Sequence, residues 1–254
     1  MDTVLNGVFF IVGAMVFSGA GLLLVRRYLV VDWLRRQHEV ASYFFLMIGT
    51  LYAVLIAFAI FVVWTGFKEA GENLEQEANE IGDLSRLSTV MPDPLRQNIR
   101  TALLEYVNSV MEDEFPAMAE GRESQRTWDA VQKLWNVYGT GQPNNLQMQA
   151  YYAESLRHLN ELSNARRIRL FTNRGTVPVS LWYLLCSGGI VLVAFTYLFG
   201  HESVWSQAGM TAALTGILAF SLFLILSLDS PYSGVARVSP QPFKLELEHV
   251  TARK

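Results

Sequence analysis

One uncharged stretch that runs on into an acidic segment limits most strongly how this chain can fold. Residues 40–64 read VASYFFLMIGTLYAVLIAFAIFVVW and contain no acidic or basic side chain. A helix needs only about 20 apolar residues to cross a bilayer, so this stretch is long enough to span one. From Lys68 onward the chain becomes acidic, and no proline separates the two parts. The pattern predicts a transmembrane helix that continues unbroken into a water-facing helix.

The rest of the sequence contains three further apolar blocks of membrane-spanning length. The chain of 254 residues is 51% hydrophobic and 17% charged, which is too apolar for an ordinary soluble domain of this size. We therefore predict an all-α membrane protein with four transmembrane helices. The predicted parts are 1–66 with transmembrane helices 1 and 2, 67–176 as a helical soluble insert, 177–229 with transmembrane helices 3 and 4, and 230–254 as a C-terminal tail.

The insert shows helical periodicity throughout, and no segment alternates with the period of two that a strand requires. Met91-Pro-Asp-Pro94 is expected to end the first helix, with Asp93 as the N-cap of the second. Pro116 is expected to end that second helix, and Gly139 the third. The fourth helix ends in a basic run from Arg166 to Arg174. The insert is thus predicted to be a bundle of helices.

Residue patterns that carry catalysis or cofactor binding are missing from the sequence. There is no GxSxG, HExxH or phosphate-binding glycine loop. Glu154 and His158 are four residues apart, as helical metal ligands can be, but such a pair far more often forms a solvated helix face. The single cysteine, Cys186, lies in an apolar block and cannot form an intrachain disulfide. We expect no enzyme activity, no cofactor and no metal site.

The predicted spans contain no charged residue in their interiors, only serine and threonine as small polar groups. Ion-coupled transport usually requires ionisable residues inside the membrane. A passive pathway with an apolar constriction that gates by dewetting does not need them. The sequence therefore favours a channel over a transporter. A non-conducting membrane scaffold or sensor, whose insert binds a soluble partner, fits the same pattern, and the net charge of −3 gives no reason to expect nucleic acid as a partner.

Four groups of short motifs follow one another along the chain. They are Glu77-Ala-Asn79 with Leu84 and Arg86, Tyr106 with Glu114-Phe-Pro116, Arg166-Arg167 before Val177-Pro178 and Trp182, and Leu228-Asp-Ser-Pro231 with Gly234. Their order resembles the bestrophin-like family of bacterial and plant membrane proteins, which is distantly similar to the bestrophin anion channels. The order of the elements is similar too: two spans, a long helical insert, two more spans and a turn with proline and an aromatic residue.

The resemblance implies a homo-oligomeric anion channel, pentameric in true bestrophins, whose partners are the lipid bilayer, other copies of the chain and small inorganic ions. It also implies a pore lined by the second transmembrane helix, with Ser42, Leu46, Gly49 and Thr50 as the pore-lining candidates. It places the protein in the plasma or inner membrane with the insert and both termini in the cytoplasm. The positive-inside rule leaves that orientation contested. Arg26, Arg27, Arg35 and Arg36 fall in the predicted short loop on the opposite side, whereas basic residues near the membrane ends on the insert side are Lys68, the Arg166–Arg174 run, Arg237 and Lys244.

The acidic residues after the second span are candidates for a vestibule at one mouth of the pore. They are Glu69, Glu72, Glu77, Asn79 and Glu80. Because an acidic vestibule concentrates cations, a cation-selective channel remains an alternative. Glu77 and Asn79 have a second interpretation, in which they join the helices of the insert by hydrogen bonds.

The turn after the fourth span supplies the last candidates, Asp229, Pro231 and Gly234. This turn is similar to a bestrophin segment that helps to hold calcium. Here Val235-Ala-Arg237 replaces the acidic run that should follow, so no calcium site is expected. Asp229 is interpreted as a helix cap or as a partner of Arg167 in preference to a ligand.

Overall fold

The computed structural model describes residues 2–28, 31–199 and 203–252, and within these ranges every element is helical. The elements are α1 (Asp2–Tyr28), α2 (Val31–Ser88), α3 (Leu95–Ser109), a π-helical turn (Val110–Glu114), α4 (Phe115–Ala119), α5 (Gln125–Gly139), α6 (Leu146–Thr172), α7 (Val179–Tyr197), α8 (Val204–Asp229) and α9 (Gln241–Ala252). The chain divides into two compact units, which we call the membrane unit and the soluble unit.

The membrane unit comprises Met1–Thr65 and Thr176–Asp229. Four helices of the chain are long and apolar enough to cross a bilayer, and their candidate spans are Leu5–Tyr28, Glu39–Ser88, Val179–Tyr197 and Val204–Asp229. The four predicted spans are thereby confirmed, and the chain is an all-α membrane protein. The helix α2 has 58 residues, and it continues from the apolar stretch into the acidic one as predicted.

Small residues let the helices of the membrane unit approach each other closely. The hydroxyl of Tyr52 on α2 donates a hydrogen bond to the backbone oxygen of Leu185 on α7 at 2.6 Å. A Cβ atom at Gly188 would lie 2.5 Å from Cε2 of that tyrosine ring, so only glycine leaves the ring enough space. Tyr52 is buried, and Leu192 and Leu218 pack in the same cluster. This contact fixes α2 against α7.

The soluble unit comprises Gly66–Gly175 and the residues from Ser230 onward. Its core combines apolar side chains from α2, α3, α5, α6 and α9, among them Leu74, Ile81, Leu103, Leu134, Leu159 and Phe243. The region 230–254, predicted as a C-terminal tail, belongs to this unit, and its helix α9 buries Phe243 and Val250 in the core. Every regular element of the insert is helical, as predicted, and short turns at 89–94, 120–124 and 140–145 separate its helices.

Several predicted helix ends differ from the observed ones. Pro94, not Asp93, occupies the N-cap position of α3, and the carboxylate of Asp93 pairs with Arg96 instead. Pro116 does not end a helix: the π-helical turn before it shifts the backbone hydrogen bonds by one residue, with the Phe115 amide donating to the Val110 carbonyl, and α4 runs on to Ala119. Gly139 ends α5 as predicted.

The predicted loop between the first two spans is much shorter than expected. Helix α1 ends at Tyr28 and α2 begins at Val31, so Arg26 and Arg27 lie in the last turn of α1. Arg35 and Arg36 fall within the bounds of α2, and their side chains lie outside the described residues. The fourth span begins at Val204.

Candidate functional site

The four pore-lining candidates lie on α2 within about two turns of each other. Leu46 is 69% exposed and Thr50 is also exposed, whereas Ser42 and Gly49 are half-buried. Gly49 approaches α7, because a Cβ atom there would lie 3.8 Å from Cδ2 of Leu192. Leu46 and Thr50 are one turn apart and therefore share a face of the helix. Of the four candidates, only Leu46 and Thr50 have exposed side chains.

The exposed surface of α2 in the membrane unit is apolar around Leu46 and Thr50. The hydroxyl of Thr50 donates to the backbone oxygen of Leu46 at 2.8 Å, so its proton is already used within the helix. Other large side chains of this surface are more than half exposed: Tyr43, Phe44, Met47, Leu51, Val54, Phe58 and Phe61. No group among them can neutralise the charge of an ion. This surface of α2 is therefore uncharged.

The vestibule candidates divide into an exposed set and a buried set. Glu69, Glu72 and Asn79 are exposed, and the carboxylate of Glu72 lies 3.2 Å from the ammonium group of Lys68. Glu77 and Glu80 are buried. The acidic surface that this helix offers to solvent is therefore smaller than the sequence suggests.

Glu77 joins helices and presents no oxygen to solvent, because its side chain is 0% exposed. It accepts hydrogen bonds from Arg169 on α6, with Nε to Oε2 at 2.7 Å and Nη2 to Oε1 at 3.0 Å. The Tyr106 hydroxyl on α3 donates to the same carboxylate at 2.5 Å. A side chain enclosed in this way cannot line a vestibule, so the interpretation of Glu77 as a helix-joining residue replaces the vestibule assignment.

A second buried carboxylate completes an ion network around Arg169. Glu114, in the π-helical turn, accepts from Nη2 of Arg169 at 2.6 Å. It also accepts from Arg166, with Nη2 to Oε1 at 2.5 Å and Nε to Oε2 at 3.2 Å. Two arginines thus face two glutamates, and their formal charges cancel. Buried charges are tolerated when they are paired and hydrogen-bonded in this way.

The guanidinium of Arg169 is enclosed by aromatic rings as well as by carboxylates. It lies 5.5 Å from the ring centroid of Phe115 on α4 and 6.0 Å from that of Phe243 on α9. Burial alone would lower the pKa of Arg169, but the neighbouring Glu77 and Glu114 outweigh it and hold this pKa well above its usual value. Burial and the charge of Glu77 raise the pKa of Tyr106 well above its usual value. Arg169 therefore stays charged and connects α2, the π-helical turn, α6 and α9.

Glu80 also lies against another helix, where it meets His158. The Nδ1 atom of His158 lies 2.6 Å from Oε2 of Glu80, and the imidazole side chain is only 12% exposed. The solvated helix face predicted for Glu154 and His158 is therefore wrong for His158. Burial of Glu80 raises its pKa, and the hydrogen bond with His158 opposes that rise. Ligand atoms of Glu80, Asp83 and His158 lie within 4.8 Å of one another, a spacing that a divalent ion would fit. The same contacts of His158 with Glu80 and Asp83 join α6 to α2 without an ion.

Asp229 binds the chain segment that leads into α7. Its Oδ1 accepts hydrogen bonds from the backbone amides of Thr176 at 2.7 Å and Val177 at 2.9 Å. Both amides precede Pro178, the N-cap residue of α7, so Asp229 holds the connection into this helix and is not a helix cap in the strict sense. It ties the end of the fourth span to the start of the third.

The turn after Asp229 belongs to the soluble unit and packs there. The Gly234 amide donates to the Ser230 oxygen at 2.8 Å, and Val238 donates to the oxygen of Pro231 at 2.9 Å. The Tyr232 hydroxyl donates to the backbone oxygen of Ala70 on α2 at 3.0 Å. Pro231 and Gly234 thus shape a turn that fixes α2 from the C-terminal side.

The pairing of Arg169 with Glu114 was not predicted from the sequence. The burial of Arg169 could have been predicted, because four residues of α6 recur at intervals of three and four and all are buried: Leu159, Leu162, Arg166 and Arg169. Two arginines that continue an apolar stripe predict buried, paired cations. Their acidic partners could not be identified that way, since Glu77 is 92 residues away from Arg169 in the chain.

These features define a class of protein: an all-helical membrane protein with four spans and a helical soluble unit whose core contains paired charges. The bestrophin-like domain, a family defined by sequence, matches residues 12–243. The chain therefore belongs to the bestrophin-like family. No curated protein matches the sequence.

Solved structures of a bacterial bestrophin homologue from Klebsiella pneumoniae share this fold. One variant of it is 11% identical with a TM-score of 0.70, and the match covers 95% of this chain and 99% of that chain. A second variant is 12% identical with a TM-score of 0.70, over 96% and 99% of the two chains. A third is 14% identical with a TM-score of 0.63, over 100% and 99%. At these identities the likeness establishes the fold and the order of the elements.

Proposed function

We propose that this protein is a homo-oligomeric passive ion channel of the plasma or inner membrane, with a pore lined by α2 from each copy. Membership of the bestrophin-like family supports the proposal. The observation that carries it is the uncharged, exposed surface of α2 around Leu46 and Thr50. Several copies of this surface around one axis would form an apolar constriction that opens by wetting and closes by dewetting.

The permeant ion in this proposal is an anion. Two of the five vestibule candidates, Glu77 and Glu80, are buried against Arg169 and His158. The negative potential that would attract cations is correspondingly weaker than the sequence suggests. Glu69 and Glu72 remain exposed acids, so a cation-selective channel is the competing outcome, and the reversal potential in a salt gradient distinguishes the two.

Leu46→Ala is expected to increase the single-channel open probability in planar bilayers containing the purified protein. A smaller apolar side chain widens the constriction and lowers the cost of filling it with water. Leu184→Ala is the matched control, because Leu184 is 53% exposed on α7, outside the proposed pore lining.

Two outcomes would contradict the proposal. Equal currents from the wild type, Leu46→Ala and Leu184→Ala would show that Leu46 on α2 does not line the pore. Protein that is folded and oligomeric yet passes no current in any ion gradient would favour the non-conducting scaffold or sensor.

The orientation is tested by labelling an introduced thiol in the soluble unit. Gly141 is a poor position, since a Cβ atom there would lie 2.4 Å from Cε2 of Tyr152. The adjacent Gln142 is exposed, so Gln142→Cys in a Cys186→Ala background is preferable. If the insert is cytoplasmic, a membrane-impermeant maleimide is expected to label inverted vesicles and not intact cells.

Ser203→Cys in the same background is the reciprocal control for this topology. Ser203 is exposed and precedes α8, in the connection between the third and fourth spans. Four spans place this connection on the side opposite the insert, so its thiol is expected to react in intact cells. Labelling of Gln142→Cys in intact cells would reverse the proposed orientation.

A further inference from the structure

A groove of about 540 Å³ lies along α5 and α6 of the soluble unit, and it shares Arg166 with the buried ion network. Its lining includes Trp128, Gln132 and Trp135 on one side and Asn160, Arg167 and Arg174 on the other. The α5 residues are spaced by four and three, so they form a single stripe facing the groove. The groove therefore combines exposed aromatic rings, amides and guanidinium groups in one surface.

The groove carries net positive charge, because its lining contains three arginines and one acidic residue, Glu123. Arg166, at its base, is already paired with Glu114. Arg167 is exposed, and among the described residues no carboxylate lies within 4 Å of it. Arg174 has a contact with Glu123 at 3.4 Å, with the two side chains 72% and 58% exposed, and ion pairs this exposed contribute little. Arg167 and Arg174 are thus available to an anion.

Apolar surface lies directly beside these arginines. Phe171 is 73% exposed and Trp128 is 51% exposed, with the guanidinium of Arg166 5.8 Å from the Trp128 ring centroid. Inorganic phosphate alone would leave these rings in water. A ligand with both an anionic group and apolar atoms would cover the rings and satisfy the arginines together.

The position of the groove in the chain indicates where such a ligand comes from. Helix α6 ends at Thr172 and the membrane-spanning α7 begins at Val179. Arg174 precedes Val179 by five residues, which an extended chain covers in about 18 Å. Basic residues next to a span attract anionic lipids, and tryptophan is enriched at the level of the headgroups.

We propose that this groove binds the headgroup of an anionic phospholipid. The phosphodiester contacts Arg167 and Arg174, and the glycerol and upper acyl carbons cover Trp128 and Phe171. Gln132 and Asn160 lie along the groove as hydrogen-bonding groups for headgroup hydroxyls. The proposal requires no ion conduction, so it stands or falls separately from the proposed channel.

The test measures lipid binding to the full-length protein in an uncharged detergent by native mass spectrometry, with titration of short-chain lipids. The probes are dioctanoyl phosphatidylglycerol, dioctanoyl phosphatidylcholine and inorganic phosphate. The phosphatidylglycerol is expected to bind the wild type about tenfold more tightly than phosphatidylcholine. The double variant Arg167→Gln, Arg174→Gln is expected to lose that preference.

A second double variant controls for the change in net charge. Arg86 and Arg96 are exposed and pair with Asp83 and Asp93 outside the groove. Arg86→Gln with Arg96→Gln should therefore keep the lipid preference. Because all four arginines are exposed, both double variants are expected to retain the wild-type melting temperature.

Four results would overturn the proposal. Equal binding of the two lipids, or equal loss in both double variants, would show that the groove does not recognise the headgroup. If inorganic phosphate binds as tightly as phosphatidylglycerol and loses that binding in the Arg167→Gln, Arg174→Gln variant, the groove binds a free anion and not a lipid. A change of subunit number in the groove variant, read from the same spectra, would make the groove a contact between copies.

Discussion

Arg169→Met is expected to lower the free energy of unfolding by about 3–5 kcal/mol, the cost typical of removing one partner from a buried ion network. The variant leaves Glu77 and Glu114 buried with only Arg166 to compensate them. Methionine retains an apolar stem between Phe115 and Phe243, so the loss reflects the uncompensated charge more than a cavity. Thermal or denaturant unfolding of the full-length protein in detergent measures it.

Arg157→Met is the matched control for this prediction. Arg157 lies on the same helix and pairs with Glu154 and Glu161, but these side chains are exposed to solvent. Exposed pairs contribute little because water already solvates each partner. Equal melting temperatures for Arg169→Met and the wild type would contradict the buried network.

A second substitution separates lost charge balance from lost packing. Glu77→Gln in the Arg169→Met background removes the charge of one of the two glutamates. The network then has no net charge, because Arg166 remains paired with Glu114. The glutamine oxygen can still accept the hydrogen bond of Tyr106. The double variant is expected to be more stable than Arg169→Met alone, a coupling that only interacting residues show.

The four spans and the helical insert could be predicted because hydropathy and periodicity are local properties of the sequence. The burial of Glu77 could also have been predicted from the sequence, since one continuous stripe along α2 is formed by Ala70, Leu74, Glu77, Ile81 and Leu84. The second interpretation of Glu77, as a residue that joins helices of the insert, agrees with that stripe. A glutamate on an apolar stripe predicts a buried partner on another helix.

Other features could not be predicted from the sequence, for physical reasons. The partners of a buried charge depend on which helices meet, and Glu114 and Arg169 are 55 residues apart in the chain. The docking of α9 depends mainly on two apolar side chains, Phe243 and Val250, in an otherwise mixed segment. Whether an exposed leucine such as Leu46 faces lipid or a water-filled pore depends on how copies of the chain assemble. The sequence around Leu46 is the same in both cases.

Gly188→Ala is expected to destabilise the membrane unit by about 1–3 kcal/mol, the usual cost of overpacking a filled interior. The added methyl would lie 2.5 and 2.6 Å from Cε2 and Cδ2 of Tyr52. The ring cannot easily move aside, because it is buried and its hydroxyl is bonded to the oxygen of Leu185. Helix α2 must therefore shift away from α7, which unfolding in detergent would report as a lower melting temperature.

Gly13→Ala and Gly209→Ala are the controls, since a Cβ atom at either position meets no atom within 4 Å. Alanine also favours a helix interior over glycine, so these variants should melt at or above the wild-type temperature. Tyr52→Leu in the Gly188→Ala background shortens the side chain that would clash and should recover part of the loss. If Gly188→Ala melts like Gly13→Ala, the packing of α2 on α7 is looser than the distances indicate. If instead Tyr52→Leu restores stability, Tyr52 is the contact that fixes α2 against α7. Tyr52 is two residues beyond Thr50, so under the proposed channel function Gly188→Ala alone is expected to alter conduction as well.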